Sequence, residues 1–213
     1  AFSYRNILEY NTNKLYEIFI SSKIDDEEHN QNISFDKKIY SEINHIKLKN
    51  VSFSYHPNKK ILKNVDLEID KNEFIGIIGT SGAGKSTLLN LMLGLLKPDE
   101  GVVLYNDDIN IFKNLGFFNK KISYVPQNIN ILERSLKENI AFGEKKENID
   151  LDKIEKIVKK TKLDNLIKEM DNGLDSIINN DNINISGGEL QRIGLARALY
   201  FDSDLLILDE ATN

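Results

Sequence analysis

The 213 residues include no cysteine, which excludes disulfides and thiolate metal sites and permits a reducing compartment. Histidine is nearly as scarce. His29, His45 and His56 lack the spacing of metal ligands, so a histidine-based metal centre is not expected. Long apolar runs are missing too. A bilayer-crossing helix needs about 20 consecutive, predominantly apolar residues, and the longest apolar stretch, Leu91 to Leu96 after Leu88 and Leu89, is broken by Asn90 and Gly94. The N-terminal segment turns polar within three residues, so no secretory signal is expected there. Nor is there an excess of basic charge: the formal net charge is −5, which argues against a nucleic-acid partner. A chain of this length fits one fair-sized domain, or one domain with an appendage, and can bury a real core.

What is present has a clear order. Phe2, Leu8, Leu15 and Phe19, with Ile7 and Ile18, recur at helical spacing and predict an amphipathic helix of about twenty residues. The polar, acidic segment Ser21 to Ser34 reads as a solvated linker. Alternation from Ile46 to Tyr55 predicts a strand with a phase slip at Asn50-Val51, and Val65 to Ile69 a second one. Phe74 to Ile78 has the look of a strand buried on both faces. A glycine-rich loop and an apolar helix follow, the helix stopping at Lys97 to Gly101. Val102 to Tyr105 and Ile122 to Val125 predict further strands. The period is helical from Ser135 to Met170, opening on a capping box at Ser135 to Glu138 and showing an apolar face at Leu151, Ile154, Ile157 and Val158. Ser186 to Tyr200 then reads as a helix and Leu205 to Leu208 as a buried strand. Strands alternating with helices give an α/β core with a helical insertion in its middle.

Residues 79 to 86 read G-T-S-G-A-G-K-S, the phosphate-loop pattern. Gly79, Gly82 and Gly84 free the backbone so that the N–H groups of the loop, through Thr80, Ser81 and Ala83, can converge on phosphate oxygens. The helix opening at Lys85, Ser86 and Thr87 adds its positive end. Lys85 is expected to reach the terminal phosphates, and Ser86 to offer its hydroxyl to Mg²⁺. Downstream, Leu205 to Leu208 delivers two carboxylates at the end of a strand, where ligands of open α/β sheets bind. Asp209 is placed to hold Mg²⁺, and Glu210 to orient or deprotonate an attacking water.

Ile185-Ser186-Gly187-Gly188-Glu189-Leu190-Gln191-Arg192 makes the reading specific. It resembles the L-S-G-G-Q signature of ABC ATPases, followed by the family's Q-R and A-R-A-L run at Ala196 to Leu199. Ile185 and Glu189 depart from the pattern. Ser186 to Glu189 is at the same time a capping box, and its bare N–H groups form a γ-phosphate receptor. The resemblance implies that this receptor serves the opposite protomer, so that two ATP molecules are sandwiched in a head-to-tail dimer with a second ABC ATP-binding domain. Gln127, in Y-V-P-Q, is similar to the family's Q-loop glutamine, which senses Mg²⁺ and water. Tyr55 resembles the aromatic that stacks on adenine.

The fold so implied is α/β: a P-loop NTPase core of RecA-like, mainly parallel sheet, with an antiparallel β-subdomain and an inserted helical subdomain. Core and β-subdomain are expected over 46–126, the helical subdomain over about 127–185, and the signature helix with the final strand over 186–213. Residues 1–45 resemble the end of a membrane-domain helix plus linker, as in exporters that fuse both parts in one chain. Ser135 to Gly143 (S-L-K-E-N-I-A-F-G) also has the exporter form, similar to bacterial flippases of lipid-linked oligosaccharides. The T-x-V-G-E-x-G segment of exporters is replaced at Ser176 to Asn182. The implied activity is ATP hydrolysis powering export or flipping, at the cytoplasmic face of a membrane such as the bacterial inner membrane. A soluble ABC ATPase, or a separately encoded subunit, is the alternative. Ending at Asn213, the sequence reads as a piece of a longer chain that stops before the family's D-loop and switch histidine, inactive by itself and with apolar surface left bare.

Overall fold

The computed structural model describes residues 42–57, 59–107, 109–113, 118, 120–179 and 185–209. The helix and acidic linker expected before residue 42 lie outside this range, as do Glu210 and part of the Ser176 to Asn182 segment. The described residues divide into two compact units, those within 1–69 and 90–116 forming one and those within 70–89 and 117–213 the other.

The first unit is built on a four-stranded sheet in the order β2-β1-β3-β4. Its strands are β1 (His45–His56), β2 (Lys59–Asp70), β3 (Glu100–Tyr105) and β4 (Ile109–Asn110), and β3 runs antiparallel to both β1 and β4. The expected phase slip is real. Ile46 and Leu48 are buried on one phase, Val51 and Phe53 on the other, and the register with β3 shifts between Lys49 and Ser52. Asn50 takes a positive φ of 49° there, and its N–H donates to Asp66 Oδ1 at 2.8 Å. Opposite the bulge sits Gly101, at φ 82°. A Cβ at this position would collide with the carbonyl oxygens of Lys49 and Asn50, so only glycine lets the strands close.

Helix α1 (Lys85–Met92) crosses the division between the units. It ends well before the predicted stop at Lys97 to Gly101. Gly94, at φ 71°, turns the chain, and the N–H groups of Leu95 and Leu96 both close on the Asn90 carbonyl, at 2.9 and 3.2 Å. The left-handed glycine thus ends the helix before proline has any part in it.

The second unit holds a two-stranded parallel sheet, β5 (Ile122–Val125) with β8 (Leu205–Leu208), in the register Tyr124↔Ile207 and Val125↔Leu208. Around it lie β6 (Arg134–Ser135), α2 (Leu136–Ile140), α3 (Leu151–Thr161), α4 (Asp164–Lys168), β7 (Ile177–Ile178) and α5 (Gly187–Tyr200), with β6 and β7 antiparallel. The helices share one core that includes Leu136, Ile140, Ile154, Leu163, Ile178 and Ile193. Asp150 caps α3 by accepting from Lys153 N at 2.9 Å, and Lys162 closes it in the left-handed conformation. Of the predicted apolar face, Ile154, Ile157 and Val158 are buried, while Leu151 faces solvent.

Asn139 is fully buried and fully engaged. Its amide donates to the carbonyls of Leu132, Arg134 and Ser135, and its oxygen accepts from Leu132 N. Arg197 of α5 ties into the same knot through the Asn139 and Asn130 carbonyls, at 2.9 and 3.2 Å, with its guanidinium over the Phe142 ring. These bonds fasten α2 to α5 where burial alone would leave polar groups unsatisfied.

Two expectations about strands also fail. Phe74 to Ile78 forms no strand among the described residues: the segment has no assigned secondary structure, and Phe74 and Ile78 are each 95% exposed. In β8 only Ile207 is buried, Leu206 and Leu208 being partly open. Both runs are apolar enough for a doubly covered strand, yet a strand is buried only where neighbours pair with it and cover both faces. Among the described residues β8 pairs with β5 alone.

Candidate nucleotide site

The loop from Gly79 to Gly84 is folded by its own backbone. Ala83 N donates to Thr80 O at 3.1 Å, and Gly82 and Gly84 take φ of 77° and 94°, values that side chains rarely tolerate. α1 begins at Lys85. The Lys85 ammonium curls back on the loop, donating to the carbonyls of Gly79 at 2.9 Å and Thr80 at 3.2 Å. Those are weak acceptors for a cation, and an anionic phosphate seated in the loop would outcompete them. Thr87 is buried one residue beyond Ser86, which remains exposed.

The two halves of the expected cation site meet. Ser86 Oγ donates to Asp209 Oδ1 at 3.3 Å, joining the first turn of α1 to the end of β8. Asp209 itself is held by its N–H to the Val125 carbonyl at 3.0 Å, the last rung of the β5–β8 ladder. Sequence reasoning passed over a third member. Tyr124 of β5 donates its hydroxyl to Asp209 Oδ2 at 3.3 Å. Burial, reinforced by the Asp209 charge, pushes the Tyr124 phenol up to about 12, so it stays a donor at neutral pH. Only the pairing register of two strands distant in sequence could have shown this contact.

A hydroxyl and a carboxylate are hard oxygen donors of the kind Mg²⁺ takes, and Mg²⁺ is usually held by one or two such groups together with substrate phosphates. Among the described residues no three His, Cys, Asp or Glu side chains gather into an all-protein cage. The donor set therefore fits a cation that arrives with a phosphate ligand.

Ser186 caps α5 as a closed box: Glu189 N points at Ser186 Oγ (3.4 Å), and the Glu189 carboxylate accepts from Ser186 N at 2.8 Å and Ser186 Oγ at 2.7 Å. These bonds, the hydroxyl's first, hold the Glu189 carboxyl below its ordinary range. Ser186, Gly187 and Gly188 are exposed, and a Cβ at Gly187 would meet nothing within 4 Å. Gln127 is exposed on the bend after β5. Tyr55 belongs to the first unit, near the end of β1. The residue is 42% exposed, and its ring packs edge-on against Phe53 at 5.0 Å.

A phosphate loop whose serine meets a strand-end aspartate, in a chain that also carries the Ser186 to Glu189 box, points to one family. The ABC transporter family model matches residues 62–213. The chain belongs to the ABC transporter family. This ABC chain is 39% identical over 168 residues to a putative export ATP-binding/permease protein of Rickettsia felis, a match covering 78% of the chain and 29% of the relative. It is 34% identical over 170 residues to the ATP-dependent lipid A-core flippase of Chromohalobacter salexigens, covering 79% and 29%. A solved bacterial Atm1-family ABC exporter with ATP bound superposes with a TM-score of 0.73 at 28% identity, over 80% of the chain and 29% of that structure. The matched part of the ABC chain thus spans about 29% of the length of these relatives. The expected P-loop α/β class is borne out.

Proposed function

We propose that this chain is the nucleotide-binding part of an ABC exporter and that it binds and hydrolyses ATP to drive movement of a substrate across a membrane. The observation that carries the reading is the Ser86–Asp209 contact beside the phosphate loop, which joins a hydroxyl and a carboxylate at one point. The names of the relatives, an export ATP-binding/permease protein and a flippase, support the exporter branch.

The loop N–H groups and Lys85 bind the phosphates, Lys85 exchanging its two carbonyl partners for anionic oxygens. The family resemblance at Tyr55 supports it as the residue that takes the base. Ser86 and Asp209 would hold Mg²⁺, which neutralises charge on the terminal phosphates when bound. Glu210, next in sequence to Asp209, takes a proton from water as the water oxygen attacks the γ-phosphorus; the bond to the bridging oxygen breaks, releasing ADP and phosphate. Gln127 lies on the bend after β5, suited to respond to the γ-phosphate. Ser186, Gly187, Gly188 and Glu189 present the open end of α5 to the ATP of a second ATP-binding domain, closing a head-to-tail dimer. Closure and reopening move the attached membrane helices at the cytoplasmic face.

The test is binding of a fluorescent ATP analogue to the full-length protein that carries this chain. Saturable binding that is lost in Lys85→Ala supports the site. Equal binding by wild type and Lys85→Ala would refute it.

A further inference from the structure

We infer that Tyr124 is a positioning residue for the Asp209 carboxylate, fixing its rotation so that one oxygen stays against Ser86. The inference rests on the nucleotide reading of the site and goes one residue beyond it.

The strand register explains why a tyrosine does this. Tyr124 pairs with Ile207, and Asp209, one residue past the end of β8 and still bonded to β5 through the Val125 carbonyl, stands two residues beyond Ile207 on the same face. Two residues of strand rise is about 6.6 Å, a gap that a phenol spans and a shorter side chain does not. The Asp209 backbone is already fixed by the bond from its N–H to the Val125 carbonyl. Its carboxylate is not fixed by that bond, because the terminal torsion of an aspartate is broad and twofold. Two hydroxyls remove this freedom from opposite ends: Ser86 Oγ at Oδ1 and Tyr124 OH at Oδ2, each at 3.3 Å. Ser86 is exposed on α1 and would itself turn toward a cation. Tyr124 is half-buried in the sheet and stays. It is therefore the tyrosine that keeps the carboxylate in place while the nucleotide and its cation come and go.

The experiment compares wild type and Tyr124→Phe in the full-length protein, following binding of a fluorescent ATP analogue first in EDTA and then during Mg²⁺ titration. Phenylalanine keeps the ring and removes only the hydroxyl. The expected result is unchanged affinity in EDTA, unchanged thermal unfolding, and a half-saturating Mg²⁺ concentration raised roughly three- to tenfold, the effect of one hydrogen bond. An identical Mg²⁺ dependence would overturn the inference while leaving the nucleotide site intact. Weaker binding already in EDTA would overturn it as well, by making the hydroxyl a general structural prop. If the wild type binds no nucleotide under either condition, the functional reading itself fails.

Discussion

The chain uses the same four-residue device twice, and the two copies differ in everything but their hydrogen bonds. Ser135 and Glu138 close a capping box on α2, and Ser186 and Glu189 close another on α5. In each, the serine hydroxyl and N–H converge on one carboxylate oxygen, at 2.5 and 3.2 Å in the first and 2.7 and 2.8 Å in the second. The difference lies between the caps. Leu136 fills the first box and is wholly buried, with Ser135 buried beside it and Leu136 N bonded to the Ser176 carbonyl. Gly187 and Gly188 leave the second box open to solvent. One box anchors a five-residue helix in the core. The other spends two glycines, poor helix formers, to keep a helix N-terminus bare. Capping chemistry alone marks no site; the open cap is what the proposed role in holding a phosphate requires.

The largest effect should come from filling the open box. Gly187→Leu in the full-length protein is expected to leave thermal stability equal or slightly higher while lowering ATP turnover by roughly two to three orders of magnitude, the scale of losing transition-state donors. Retained turnover would erase the functional difference between the two boxes. Next comes the tether of α5. A Cβ at Gly194 would press into the Ile129 side chain and approach Val125. Gly194→Ala should therefore cost about 1–3 kcal/mol by overpacking, seen as a lower unfolding temperature, and Ile129→Val should recover part of it. Removing the caps comes third. Ser135→Ala should destabilise by about 1–2 kcal/mol and Ser186→Ala by about 0.5–1 kcal/mol in denaturant unfolding, because the bonds lost in the first are part-buried and those lost in the second are exposed.

The smallest effect is on pH. Both Glu138 and Glu189 are held below the ordinary carboxylate range, first by the serine hydroxyl and then by the serine backbone. A depressed folded-state pKa contributes stability that is present above the unfolded pKa and lost as pH falls through the folded one. Unfolding temperature should thus fall slightly more in wild type than in Glu138→Gln or Glu189→Gln as pH is lowered below about 4.3, the unperturbed glutamate value.

Local chemistry was legible in the sequence. Glycines with Lys85 and Ser86 spelled the phosphate loop, and the break in alternation at Asn50 spelled the bulge, because both depend on residues adjacent in the chain. Pairing was not. Phe74 to Ile78 and Leu208 carry the apolarity of buried strands, yet apolarity does not say which neighbour covers them. In the sequence Tyr124 stands out only as a neighbour of Gln127, since its contact with Asp209 exists only through the β5–β8 register. Gly94 reads there as a break in an apolar run, while in the fold it is the helix stop. Glu210 and the segment before residue 42 lie outside the described residues.

The most direct test of ATP hydrolysis at this site is turnover by the full-length protein bearing Glu210→Gln. Hydrolysis should be lost while nucleotide binding persists and the ATP-bound, closed dimer accumulates; undiminished turnover would contradict a role for Glu210 in hydrolysis.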